Sequence, residues 1–178
     1  MMANNFINIR KENVLIMYFE ANSFMNLYND KKEQLRSTLG KESNEISQPC
    51  CIVLLSFACE LYLKTLFCIE KIEENNNVSD ISMEKGHELN NLFVRLSNNL
   101  KQIISERLNC TVEQLENELE NHKNDFVKWR YIFEIKSDEF QCNISFLERI
   151  AHILCEISKS KVDKIEFRAN DISFTING

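Results

Sequence analysis

Glycine and proline are almost missing from this chain, with Gly 3 and Pro 1 in 178 residues. That scarcity excludes turn-dense sandwiches and barrels and the glycine-rich loops that cradle phosphates. No P-loop, G-x-G-x-x-G or G-x-S-x-G pattern occurs. Positive charge is short as well: Lys+Arg 21 against Asp+Glu 27 leaves a formal net charge of -6. No global field exists to hold nucleic acid, so any RNA contact must come from a local patch. No apolar run is read as reaching the roughly 18 residues of a membrane span. Glu20 breaks the one apolar stretch near the start and no small-residue cleavage site follows, so neither signal peptide nor anchor is expected. Cys50, Cys51, Cys59, Cys68, Cys110, Cys142 and Cys155 form no C-x-x-C pair. They read as reduced, small core residues of a cytoplasmic protein, with no metal and no cofactor expected.

What remains is helical. Hydrophobic residues make up 44% and charged residues 27%, which suits one soluble domain with its own core. From Lys11 to about Leu39, Val14, Met17, Ala21, Phe24, Tyr28 and Leu35 recur at helical spacing, and Gly40 suits the C-terminal cap. Pro49 marks the expected start of a second helix running to about Ile72. The polar stretch from Glu73 to Gly86 reads as a loop. A third helix is expected from His87 to about Leu108, where Leu89, Leu92, Phe93, Leu96, Leu100, Ile103 and Ile104 keep three-and-four spacing. Thr111 with Glu113 and Gln114 resembles a capped start for a fourth helix ending near Lys136. Ser137 and Asp138 offer the cap of a fifth, whose inner side is Ile144, Leu147, Ala151, Leu154 and Ile157.

The tail alternates differently. Ile165, Phe167, Ala169, Ile172, Phe174 and Ile176 follow period two around Asn170-Asp171, which predicts a hairpin with one apolar face. Phe6, Ile7 and Ile9 offer a third strand. The expected fold is therefore all-α, a bundle of about five helices over 1–160 with a small C-terminal β-hairpin over 161–178 packed on the bundle or on a dimer partner.

Two apolar helices carry polar interruptions. Ser56, Glu60, Lys64 and Lys71 share one stripe of the second helix, framed by Val53, Phe57 and Phe67. One reading is an exposed i,i+4 pair worth about 0.3–0.5 kcal/mol. The other is partial burial, which requires further charged partners to converge on Glu60 and Lys64. Arg130, at the edge of the apolar arc of helix four, is the nominated partner, with Glu134 one turn on; the other reading makes Arg130 and Glu134 a solvated surface pair. His122 and His152 read as core or boundary histidines. His87, after Gly86, offers its backbone to an anion at a helix start, or a cap. The second His of a zinc-protease motif is replaced by Asn91. Among seven Cys and three His, no local signature selects a nucleophilic pair.

Three segments together carry a resemblance: Ser56-Phe57-Ala58-Cys59-Glu60-Leu61-Tyr62-Leu63-Lys64, then Gly86-His87-Glu88-Leu89 with Leu92, then Trp129-Arg130-Tyr131-Ile132-Phe133-Glu134. In order and spacing they resemble the HEPN superfamily, in the prokaryotic branch with an E-L-x-x-K helix, a G-H-x-L helix start and an R-Y-x-x-E helix. The resemblance spans about residues 50–135. It implies a helical bundle that often forms a two-fold dimer, with members acting as RNA-cleaving toxins, antiphage effectors, or noncatalytic RNA- and nucleotide-binding modules. The family's nucleases carry Arg, four to six residues, then His. Here the positions after Arg130 hold Ile135, Lys136 and Ser137, and Arg149 meets His152 too early.

What the resemblance implies by position is a polar cluster of Glu60, Lys64, His87, Arg130, Tyr131 and Glu134. The expected function is a HEPN-like RNA- or nucleotide-interacting module in antiphage defence or stress response, noncatalytic and homodimeric. One alternative is a metal-independent ribonuclease with a nonstandard acid/base such as His87 with Lys64 and Arg130. The other is an antitoxin-like or structural interaction protein with a protein partner.

Overall fold

A computed structural model describes residues 6–37, 43–75, 79–123, 125–131 and 142–165 of the chain. The chain runs β1 (Phe6–Arg10), α1 (Lys11–Ser37), α2 (Ser43–Glu74), β2 (Asp80–Glu84), α3 (Leu89–Val94), α4 (Asn98–Arg107), α5 (Val112–Asn121), α6 (Asp125–Arg130) and α7 (Ile144–Val162). Helices dominate, as the composition requires, and they pack around α2. Its Leu55, Ala58, Cys59, Tyr62, Leu63, Leu66 and Ile69 are wholly buried. The most extensive neighbours of α2 are α1 and α7, followed by α6 and α3.

Helix α2 begins at Ser43, upstream of the start expected at Pro49. A proline inside the helix removes one N–H donor, and the flanking residues sustain the helix across the missing bond. The expectation that no stretch attains spanning length is also corrected. Pro49–Glu74 is long and apolar enough by composition, with mean hydropathy 1.9, yet 67% of that window is buried inside the protein. The helix is apolar because other helices surround it.

The buried face of α1 is Val14, Leu15, Tyr18, Ala21, Met25 and Tyr28. Val14, Ala21 and Tyr28 fall on the stripe read from sequence, whereas Met17, Phe24 and Leu35 sit at its half-buried margin. In α7, Leu147, Ala151, Leu154 and Ile157 are buried as expected. Its cap is Asn143, whose side chain accepts from the Phe146 N–H at 3.1 Å. The nominated Ser137 and Asp138 lie outside the described residues, and α7 continues past residue 160 to Val162.

Both long middle helices are interrupted. The segment expected as one helix from His87 to Leu108 is α3 and α4, separated at Arg95–Ser97. Ser97 caps α4 by accepting from the Leu100 N–H at 3.2 Å, and its own N–H donates to the Glu70 carboxylate of α2 at 2.9 Å. A cap tied to a neighbouring helix thus overrides an uninterrupted apolar periodicity. Helix α4 ends in a Schellman motif: Asn109 has φ 58, its N–H donates to the Glu106 carbonyl, and the Cys110 N–H donates to the Ser105 carbonyl. Thr111 and Gln114 then form the expected capping box. The fourth helix is likewise divided into α5 and α6, with the break at His122.

The sheet is antiparallel and pairs β1 with β2, the latter inside the stretch read as loop. Ile7 opposes Met83 and Ile9 opposes Ile81. Ile9, Ile81 and Met83 are buried, while Asn8 and Ser82 face outward. Two apolar positions in Asp80–Glu84 are too few to display period two in sequence, and the partner strand supplies the rest. The hairpin expected around Asn170-Asp171 lies, except for Ile165, outside the described residues.

Lys32 and Glu148 tie α1 to α7 through a partly buried ion pair. Burial alone pushes the Glu148 carboxyl up, but the Lys32 ammonium and the Tyr28 hydroxyl outweigh it and hold it below the usual carboxylate range. The stabilisation is therefore present above the carboxylate value of the unfolded chain and disappears as pH falls through the lowered folded value. Glu148→Gln is expected to lose less than about 1 kcal/mol at neutral pH. Urea titrations from neutral to acid pH should then show a shallower acid limb for the variant than for the wild type.

Candidate functional site

On α2, Ser56, Glu60 and Lys64 stand one turn apart, and the helix carries this stripe inward. Glu60 is 1% exposed, and the Lys64 Nζ lies 2.7 Å from its Oε1. A carboxylate so desolvated costs several kcal/mol unless paired and hydrogen-bonded. The second partner is His87, whose Nδ1 sits 2.9 Å from Oε1 and 3.0 Å from Oε2. The burial reading of the Glu60–Lys64 pair therefore holds, but the group arriving from elsewhere in the chain is an imidazole.

His87 occupies the irregular segment between β2 and α3. It does not cap a helix: Glu88 holds the N-cap position of α3, without a side-chain cap. With Nδ1 engaged and the side chain 54% exposed, the ring spans from a buried carboxylate to the surface. It borders a pocket of about 380 Å³ lined also by Lys85, Glu88, Asn91, Arg95 and Val127. Lys85 and Arg95 are both cations, against one carboxylate, on a chain whose net charge is negative.

Arg130 reaches this cluster through an aromatic ring. Its guanidinium carbon lies 4.9 Å from the Phe126 centroid and 4.5 Å from that of Tyr131. Phe126 in turn stacks on Phe57 at 4.6 Å and 17°, and its centroid is 5.6 Å from that of His87. Phe24 meets Phe57 edge-on at 4.6 Å. The expected contact between the guanidinium and the Glu60–Lys64 pair is thus replaced by cation–π stacking beside it. The break at His122 makes α6 a separate six-residue helix, so Arg130 is not placed by continuation of α5. Arg130 and Tyr131 are exposed, and Glu134 lies outside the described residues. Of the six nominated residues, Glu60, Lys64 and His87 form one bonded group, with Arg130 and Tyr131 stacked next to it.

A second cluster has no counterpart in the sequence reading. His122, read as an isolated core histidine, is 4% exposed, and its Nδ1 lies 2.6 Å from Asp125 Oδ2. The Cys142 thiol donates to the same oxygen at 3.2 Å and lies 3.8 Å from His122 Nδ1. The other ring nitrogen, Nε2, faces Glu118 Oε1 at 3.7 Å. Burial, and then the Asp125 charge, push the Cys142 thiol up, which keeps it protonated. The short His122–Asp125 spacing was visible in sequence, but nothing along the chain marks Cys142 as their neighbour. His152, by contrast, is an exposed residue of α7 beside Glu148.

No family model matches the chain, and no match to a curated protein or a solved structure was found.

The ionic group can be tested by charge balance. Lys64→Met with His87→Ala leaves Glu60 buried without these two partners and is expected to cost about 3–5 kcal/mol. Adding Glu60→Gln to that double variant should recover a substantial part of the loss, as read by chemical denaturation. Without recovery, Glu60 is not held by those two partners.

Proposed function

We propose that the chain is a HEPN-like module that binds RNA or a nucleotide at the His87 pocket, in antiphage defence or stress response. The observation that carries this reading is the anchoring of His87: Nδ1 is held by the buried Glu60 carboxylate while the ring borders a pocket with Lys85 and Arg95. Cationic side chains around a concave site suit phosphate oxygens. Val127 lines the pocket one turn before Arg130, so the exposed Arg130–Tyr131 face adjoins it. Such a planar face suits an unpaired base, since aromatic and guanidinium planes stack on bases of any sequence.

The metal-independent ribonuclease is the second reading, favoured by one feature. A carboxylate on Nδ1 fixes the orientation of the imidazole and leaves Nε2 for proton transfer, the arrangement required of a general acid or base. In the ribonuclease reading, Arg130 or Lys85 would balance charge on the phosphate and no metal would be needed. Two-fold assembly belongs to the same proposal. Phe19 and Leu27, two turns apart on α1 and 56% and 53% exposed, offer apolar surface for it.

Fluorescence anisotropy with a labelled single-stranded RNA tests the binding reading. Arg130→Ala and Lys85→Glu should each weaken binding about fivefold or more. Equal affinity in wild type and both variants, or none in the wild type, would remove the site and leave Glu60, Lys64 and His87 as an internal brace. If the same RNA acquires 2′,3′-cyclic phosphate ends in the presence of a chelator, and His87→Ala stops this, the ribonuclease reading replaces the binding one.

A further inference from the structure

We infer that His122, Asp125 and Cys142 form a binding site for a zinc-like divalent transition-metal ion. The three residues come from the C-terminal end of α5, the first turn of α6 and the residue before the cap of α7. Their ligand atoms, His122 Nδ1, Asp125 Oδ2 and Cys142 Sγ, lie within 4.8 Å of one another. In a tetrahedral zinc site, ligand atoms sit roughly 3.3–3.6 Å apart, given metal–ligand bonds of about 2.0–2.3 Å. The observed separations of 2.6, 3.2 and 3.8 Å bracket that spacing. To admit the ion the His122–Asp125 pair must open by about 0.7 Å, while the two separations from Cys142 need change by only about 0.3 Å.

Chemistry and surroundings point the same way. One nitrogen, one oxygen and one sulfur make a borderline donor set, suited to zinc and unsuited to calcium or magnesium. The carboxylate and a Cys142 thiolate would supply two negative charges, which neutralise a dication in a place where His122 and Asp125 are each 4% exposed. The remaining ring nitrogen of His122 lies 3.7 Å from Glu118 Oε1, close enough for that carboxylate to orient a ligating imidazole after a small shift. Phe146 stacks on the His122 ring at 5.2 Å and 20°, which limits its rotation. On binding, the ion takes the place of the thiol proton, which leaves to solvent. The imidazole N–H shifts to Nε2, opposite Glu118, and Nδ1 becomes the ligand. Three protein ligands leave a fourth position to water or another donor.

A catalytic Cys–His–Asp triad does not fit these positions. There the imidazole stands between thiol and carboxylate, so that one ring nitrogen serves each. Here Cys142 and Asp125 share the Nδ1 side and the thiol donates directly to the carboxylate. The inference also does not depend on the reading of the His87 pocket.

The test uses the full chain, stripped with chelator and titrated with Zn²⁺ and with Co²⁺. One equivalent should bind, and the cobalt form should show tetrahedral d–d absorption with a thiolate charge-transfer band. Cys142→Ser should abolish that band and weaken zinc binding at least about tenfold. Asp125→Asn should weaken binding comparably, and Cys50→Ser, at an exposed cysteine, should leave it unchanged. If circular dichroism shows that Cys142→Ser is unfolded, Asp125→Asn and His122→Gln provide the same comparison. No stoichiometric binding, or the same affinity and cobalt spectrum in wild type and folded ligand variants, would overturn the site.

Discussion

A carboxylate buried in the most enclosed helix of a protein must have compensation brought to it, and much of the arrangement around α2 follows from Glu60. Its own helix supplies Lys64 at i+4, the one cation that local geometry guarantees. The other partner arrives from outside, because the Lys85–Glu88 segment crosses over α2 with His87 directed inward. That segment is positioned from two sides. The β1–β2 ladder holds its beginning, and Leu89 and Leu92 of α3 bury its end against the core. A pocket opens where irregular backbone meets a short helix, and the ring that satisfies the buried acid is also the ring that reaches solvent.

How much of this is legible in the sequence depends on how far along the chain each cause acts. Local causes can be read directly. The Thr111–Gln114 box and the i,i+4 pair on α2 each lie within about one turn, and the apolar stripe of α7 within a single helix, where residue type and spacing determine the outcome. The breaks at Ser97 and His122 were not readable, because apolar spacing continues across them. What divides α3 from α4 is a carboxylate on another helix, Glu70, which accepts from the Ser97 N–H. Strand β2 escaped for a related reason: its identity rests on Ile7 and Ile9, which lie seventy-odd residues away in the chain.

The sites divide in the same way. Glu60 and Lys64 were visible because a charged pair on an otherwise apolar helix conflicts with its surroundings, and such conflicts mark positions with a specific requirement. Local spacing offers for His87 only a backbone or capping role, and its side chain makes the contact. A continuous fourth helix would aim Arg130 at an ionic partner; with α5 and α6 divided, the guanidinium lies over aromatic rings. The His122–Asp125–Cys142 group had no such signal, since a histidine, an aspartate and a cysteine look ordinary until a third segment folds onto the first two.

Helix α6 joins the two clusters. Six residues form too few internal hydrogen bonds to hold a helix in place, so its position must come from side-chain contacts. Asp125 and Trp129, at i and i+4, are the buried stripe and face the core. Phe126 and Arg130, one residue further round, form the adjoining stripe that lies against His87 and Phe57. Adjacent residues thus serve separate groups, with the Asp125 carboxylate meeting His122 and Cys142 and the Phe126 ring lying against Phe57 and His87. Any rotation of α6 about its axis that breaks the first set of contacts displaces the second, because the two stripes share one backbone. The placement of Arg130 therefore depends on what Asp125 binds as well as on the rings beneath the guanidinium.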